Sequence, residues 1–218
     1  MAIATTVESG PGEIAFRGLI TLSIMLATIM QVLDTTIANV ALPHMQGSLT
    51  ATQDQITWVL TSYIVASAIM TLPTAWLAGR FGRKRVFLVA VGGFTLSSVL
   101  CGMAMSIEQM VLFRILQGCF GAALVPLAQA TMLDINPPEN HGKAMAMWGM
   151  GVMIGPILGP TLGGWLTEYY NWRWVFYINL PLGIIAFTGM LFFMPDSDRV
   201  KRPFDTFGFL MLTVIIGS

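Results

Sequence analysis

The sequence predicts an all-α fold: a polytopic membrane protein with a six-helix bundle, followed by the start of a seventh helix. Three observations predict it. The 218 residues are 55% hydrophobic and only 10% charged, against about 25% charged in an ordinary soluble domain. The few charges divide the chain into long uncharged windows, each near the roughly 20 apolar residues that a helix needs to cross a bilayer. The Lys and Arg residues gather in segments that would share one side of that bilayer. Helices are the natural spans, because backbone polar groups in lipid must be paired within the segment.

Taken in order, residues 1–17 with Ser9-Gly10-Pro11-Gly12 read as a short cytoplasmic tail. Span 1 covers 18–43, its apolar pattern continuing past Asp34 to Pro43. It lacks the basic start and small-residue cleavage site of a signal peptide. Span 2, 55–79, runs into the basic loop Arg80-Phe81-Gly82-Arg83-Lys84-Arg85, and span 3 follows at 86–106. Span 4, 109–133, ends before the turn-rich stretch Pro137-Pro138-Glu139-Asn140-His141-Gly142. Spans 5 and 6 cover 144–167 and 174–195, and 196–203 is a cytoplasmic loop. A last apolar run, 204–218, stops roughly five residues short of a span, so the chain is expected to be truncated there.

With the N-terminus inside, nine basic residues are cytoplasmic: Arg17, Arg80, Arg83, Lys84, Arg85, Lys143, Arg199, Lys201 and Arg202. Only Arg173 falls in an outer loop, which is a strong positive-inside signal. All six tryptophans fall near span ends, as interfacial anchors do. The expected location is therefore the cell (inner/cytoplasmic) membrane, multi-pass, with the N-terminus cytoplasmic. A net charge of zero gives no basic excess for nucleic acid. Two cysteines and two histidines, none clustered, offer no disulfide framework and no metal site.

Two charges stand where lipid should be. Asp34 lies roughly 13 Å inside the outer end of span 1, where a carboxylate costs several kcal/mol unless paired, hydrated or protonated. It is a candidate proton carrier, the plain alternative being a structural helix contact. Arg114 lies roughly 9 Å below the same surface in span 4, within about one turn of Asp34 in depth. Spans 1 and 4 would also match if the six form two repeats. The pair could thus meet and be broken by substrate or conformational change, or Arg114 could simply snorkel to the headgroups. Gln31, Asn39, Gln117, Gln129 and Asn179 are further polar positions in or near spans, each expected first as an interhelical hydrogen bond.

Span 5 repeats glycine every fourth residue, at Gly151, Gly155, Gly159 and Gly163, with Pro156, Pro160 and Gly164 added. This lines small residues along one face and lets another backbone approach closely, while each proline removes a helical hydrogen bond. A passive seam and a pivot between two conformations both fit. The basic loop fits either lipid phosphate contact or a cytoplasmic latch.

These residues carry a resemblance. Gln31-Val32-Leu33-Asp34-Thr35-Thr36-Ile37-Ala38-Asn39-Val40-Ala41-Leu42-Pro43 closely resembles the helix 1 motif of the EmrB/QacA drug:proton antiporters, fourteen-helix members of the major facilitator superfamily. Leu77-Ala78-Gly79-Arg80-Phe81-Gly82-Arg83-Lys84 looks like the superfamily's loop 2–3 motif. Arg114-Ile115-Leu116-Gln117-Gly118 resembles its helix 4 motif, and the glycine-proline run of span 5 its antiporter motif. Trp172-Arg173-Trp174-Val175-Phe176-Tyr177-Ile178-Asn179-Leu180-Pro181 looks like the family's helix 6 start. The loop motif departs from the pattern, with Gly79 where an acid is common and Ala75 where glycine is.

The resemblance implies the six-helix N-terminal bundle of the major facilitator fold, two three-helix inverted repeats, and with it the N-terminal half of a proton-coupled exporter of amphipathic or cationic drugs, working by alternating access. It implies proton coupling or substrate contact at Asp34, Arg114, Gln117 and Asn39, and conformational switching along the span 5 glycines and prolines. Its partners would be small-molecule substrate and protons, the lipid bilayer, the missing C-terminal half and, in Gram-negative cells, a periplasmic adaptor protein. No cofactor is implied. No nucleophile, P-loop or metal motif points to an enzyme or to ATP as the energy source. An exporter of one specific metabolite and a non-transporting half-length membrane subunit are the other readings the residues leave open.

Overall fold

The computed structural model describes residues 11–195 together with 211 and 213, with side chains from Arg17 onward. Most of the predicted tail, the loop at 196–203 and all but Met211 and Thr213 of the last apolar run lie outside the described residues. Among the described residues all regular structure is helical: α1 Pro11–Ser48, α2 Gln53–Phe81, α3 Arg83–Met103, α4 Ile107–Gly121, α5 Leu124–Ile135, α6 His141–Val152, α7 Ile154–Tyr169, α8 Trp174–Tyr177 and α9 Asn179–Phe193. Six stretches among them are long and apolar enough to cross a membrane. Span 4 joins α4 to α5, span 5 joins α6 to α7, and span 6 joins α8 to α9.

The joins have one physical cause. Proline lacks the N–H that would pair with the carbonyl four residues earlier. Pro126 leaves Ala122 without that partner, Pro156 leaves Val152, and Pro181 leaves Tyr177. The helices break at residues 122–123, 153 and 178, at or next to each of those carbonyls. Pro43, Pro73 and Pro160 instead sit inside unbroken helices. Helix α1 therefore runs past the predicted end of span 1 to Ser48, its last turns held by buried Met45 and Leu49.

Thr52 starts α2 with a capping box, accepting from Gln55 N at 3.3 Å while Gln55 Oε1 accepts from Thr52 N at 3.0 Å. Ser106 caps α4 by accepting from Gln109 N at 3.3 Å, while Gln109 Oε1 accepts from Met105 N at 3.0 Å. Such caps satisfy helix-terminal N–H groups that have no partner within the helix. Spans 2 and 4 begin this way, whereas α3 opens at Gly82 and α6 at Asn140 with no side-chain cap.

The packing pairs obey an exchange rule. Helix α1 packs against α7, and α2 against α4; α1 packs against α9, and α3 against α4; α3 also packs against α9. Exchanging spans 1, 2 and 3 with spans 4, 5 and 6 turns each of the first two pairings into its mate and leaves the last unchanged. That is the contact pattern of two equivalent three-helix units.

Two apolar clusters fill the interior. One gathers Ile20, Ile24, Met30, Phe87, Phe94, Leu124 and Met190 toward the basic end of the bundle. The other gathers Leu33, Ile37, Met45, Val59, Met110, Trp172 and Phe176 toward the opposite end. Outward faces are apolar too: Val89, Leu96 and Met103 form an exposed stripe on α3 at seven-residue spacing. A soluble protein would not leave such a stripe in water.

Candidate functional site

Between the two apolar clusters lies a polar one. Helix α1 buries Met30, Asp34, Ala38, Ala41 and Met45, so the three-to-four residue spacing that faces the core carries Asp34 inward. Helix α4 buries Ile107, Met110, Arg114, Gln117 and Gly121 by the same rule. Helix α9 begins at Asn179 and buries Gly183, Ala186 and Met190 below it. Three helices thus aim polar side chains at one point.

Arg114 Nη1 donates to Asp34 Oδ2 at 2.7 Å and to Gln117 Oε1 at 2.6 Å. Its Nε donates to the Val59 carbonyl of α2 at 3.0 Å. The guanidinium also lies 4.2 Å from the Tyr63 ring centroid and 5.8 Å from that of Phe176, a favourable seat for a cation. Asp34 Oδ1 accepts from Gln117 Nε2 at 2.9 Å and from Asn179 Nδ2 at 2.7 Å. Asn179 Nδ2 donates in addition to Ser98 Oγ at 2.9 Å, and Ser98 donates to the Phe176 carbonyl at 2.9 Å.

Both ions are out of solvent: Asp34 is 1% exposed and Arg114 0%. Arg114 does not snorkel. A buried pair of this kind stands only because both charges find further hydrogen bonds. Tyr63 OH, Arg114 Nη2 and Asn179 Oδ1 are buried without a hydrogen-bond partner. The arrangement can hold one charge pair and has spare polar atoms with which to rearrange.

The sequence-derived candidates divide. Asp34, Arg114 and Gln117 come together. Asn39 does not: it is exposed and donates to the Thr35 carbonyl at 2.9 Å. Five residues along a helix is about 140° of rotation away from Asp34, which is enough to turn it off the core face. Asn179 belongs to the cluster although it was expected only as a generic interhelical contact. A usable signal existed, since Arg114 stands five residues into predicted span 4 and Asn179 five into predicted span 6, both entering from the same end. Tyr63 and Ser98 had no such signal.

The span 5 glycines sit on α1. A Cβ on Gly151 would meet Met25, and one on Gly159 would overlap the Thr36 side chain. On Gly155 it would come within 2.8 Å of Val32 Cγ1, and on Gly163 within 3.3 Å of Val40 Cβ. Thr36 Oγ1 donates to the Gly155 carbonyl at 3.3 Å. Gly164 meets nothing within 4 Å, so it is outside the seam, and Pro156 and Pro160 are exposed on the far side.

At the basic end, Gly82 turns the chain between α2 and α3 with φ 92°, a conformation that favours glycine. Arg83 forms an ion pair with Asp134 and reaches the Ala130 carbonyl at 3.5 Å. This ties the loop to the end of span 4. The Arg80 guanidinium lies 5.6 Å from the Trp76 ring, and Lys84 is half-buried.

The chain is 44% identical over 201 residues to the multidrug export protein EmrB of Haemophilus influenzae, covering 91% of this chain and 39% of that protein. It is 43% identical over 201 residues to the fatty acid resistance protein FarB of Neisseria gonorrhoeae, with 91% and 40% covered. With EmrB of Escherichia coli K12 it shares 40% over 213 residues, covering 97% and 42%. The chain therefore spans about two fifths of the length of these relatives.

Among solved structures, it superposes on the proton:xylose symporter XylE bound to 6-bromo-6-deoxy-D-glucose with a TM-score of 0.76 at 15% identity, covering 85% of this chain and 46% of that one. A bacterial homologue of the human lysosomal transporter Spinster gives 0.73 at 22%, covering 88% and 46%. At these identities they share the fold alone. The family model described as Major Facilitator Superfamily matches residues 24–212. It takes in all six membrane-length helices in whole or in part, the buried Asp34–Arg114 cluster and the glycine seam, and the chain belongs to that superfamily.

Proposed function

We propose that this chain is the N-terminal half of a proton-coupled exporter of amphipathic or cationic compounds, acting by alternating access in the inner membrane with its N-terminus in the cytoplasm. The observation that carries the reading is the Asp34–Arg114 pair, buried between two apolar clusters. An intramembrane acid held by one ion pair and by hydrogen bonds that can be rearranged is suited to taking up and releasing a proton. Asp34 is the proton carrier, Arg114 the countercharge that stabilises its ionised form, and Gln117 the group that holds both. Asn39, exposed on another face of α1, is left for substrate contact. The glycine seam between α1 and span 5 is where span 5 moves against span 1, because the glycines offer no side chains to interlock with Met25, Val32, Thr36 and Val40 of α1. Gly164, Pro156 and Pro160 act through helix shape and not through the seam. The loop of Arg80, Gly82, Arg83 and Lys84 latches one cytoplasmic end.

Partners in this reading are the drug and protons, a C-terminal half that faces this bundle, and a periplasmic adaptor protein. The relatives' names favour testing two substrate types, since one exports multiple drugs and another confers fatty acid resistance. The test uses the full-length transporter in energised membrane vesicles, with a cationic dye and a fatty acid as substrates. Asp34→Asn is expected to abolish uncoupler-sensitive efflux of either while membrane insertion stays normal. Full efflux in that variant would remove Asp34 from the mechanism.

A further inference from the structure

The carboxylate of Asp34 accepts hydrogen bonds from three donors: Arg114 Nη1 on Oδ2, and Gln117 Nε2 and Asn179 Nδ2 on Oδ1. That set fits the ionised carboxylate, because a protonated oxygen must itself donate. Oδ2 faces a guanidinium that keeps its charge, so an arriving proton goes to Oδ1. There it meets two amide N–H groups, and one must give way. Gln117 is not free to turn, since its Oε1 accepts from Arg114 Nη1 at 2.6 Å and from Cys101 Sγ at 3.6 Å. Reversing it would set N–H against the guanidinium.

Asn179 is differently held. Its Nδ2 bridges Asp34 Oδ1 and Ser98 Oγ, while its Oδ1 is buried and has no hydrogen-bond partner. A half-turn of the amide exchanges two groups of nearly the same shape and presents Oδ1 to the new Asp34 hydroxyl. The Ser98 hydroxyl, which rotates freely between acceptors, can then leave the Phe176 carbonyl for Asn179 Oδ1. Phe176 stands two residues before the α8–α9 break at Ile178.

We propose that Asn179 is a positioning residue that reads the protonation state of Asp34, donating to the carboxylate when it is charged and turning its amide when a proton binds. The change passes through Ser98 on α3 to the backbone beside the break in span 6. The proton comes from water and returns to water, and no other bond forms or breaks. The titratable groups facing this cluster are Arg114 from α4, Tyr63 from α2 and Cys101 from α3. This inference rests on the proton-carrying role proposed for Asp34.

The test compares the full-length parent transporter with Asn179→Leu in proteoliposomes, measuring drug–proton exchange across a pH series. Removing a donor to the charged form is expected to move the half-maximal pH upward by about one unit or more. A lower rate at an unchanged midpoint would mean a packing role only and overturn the proposal. Where Asn179→Leu is not monodisperse after purification, Asn179→Ser, too short to reach Asp34 Oδ1, is read by the same two outcomes. Asp34→Asn separates the two levels of the argument. If it keeps pH-dependent exchange, the proton role of Asp34 fails and this inference with it. If it abolishes exchange while the Asn179 variants leave the midpoint in place, only the role of Asn179 fails.

Discussion

Arg114 is held on every side: fully buried, ion-paired with Asp34, bonded to Gln117 and the Val59 carbonyl, and seated on the Tyr63 ring. Removing one member of a buried pair leaves the other charge uncompensated, at about 3–5 kcal/mol, whereas replacing both by apolar groups is often neutral. Arg114→Leu is therefore expected to lower the thermal unfolding midpoint of the purified full-length protein strongly. Adding Asp34→Leu to it should recover most of the loss. Equal midpoints for the single and double variants would mean that Asp34 sheds its charge without help from Arg114. Surface pairs do not behave this way. Arg83–Asp134, with side chains 26% and 56% exposed, is expected to show a coupling of only about 0.2–1 kcal/mol in a double-mutant cycle.

At the scale of the element, span 5 is the unusual one. Its buried positions include Gly151, Gly155, Gly159 and Gly163, all against α1, while Met150, Met153, Ile154 and Ile157 face outward. Glycine to alanine in a helix gains up to about 1 kcal/mol of propensity, but an added methyl in a tight contact costs about 1–3 kcal/mol. The balance differs along the seam. Gly159→Ala, which overlaps Thr36, and Gly155→Ala, at 2.8 Å from Val32, are expected to destabilise the protein. Gly163→Ala should be close to neutral, and Gly164→Ala, with open space around it, neutral to stabilising. Thermal unfolding of the four variants gives the order directly, and a flat series would show that the seam has room to adjust. The larger Gly155→Leu should also impair switching, read as lost transport with normal insertion.

For the whole molecule, topology is the testable quantity. Among the described residues, Arg17, Arg80, Arg83, Lys84, Arg85 and Lys143 fall at one end of the bundle, and the α1–α2 and α3–α4 turns, with Arg173 bonded to the Gly102 and Ala104 carbonyls, at the other. Cysteine labelling in intact cells, with Cys101 and Cys119 replaced, should find Thr50→Cys and Met105→Cys reactive to an impermeant reagent and Lys84→Cys protected until the membrane is opened. The reverse pattern would invert the orientation and with it the assignment of Gly82 and Arg83 to a cytoplasmic latch. The exchange rule among helix pairs gives the bundle its two-unit character, and the proposed half-transporter follows from that unit needing a facing partner to enclose a path.

What the sequence determined by itself was everything local. Charge spacing set the six crossings, because each span answers separately to bilayer thickness. Depth along a helix, at 1.5 Å per residue, already brought Asp34 and Arg114 to one level, and the four-residue glycine period marked the face of span 5 that packs. Helical phase would also have turned Asn39 away from Asp34. Tertiary structure alone decided which polar groups meet. Asn179, Ser98 and Tyr63 come from spans far apart in sequence, and their convergence depends on the rotation of each helix about its axis and on the proline breaks at Ala122, Met153 and Ile178. A break reorients everything after it, so the phase of a side chain near one is a property of how the neighbouring helices pack and not of its own segment.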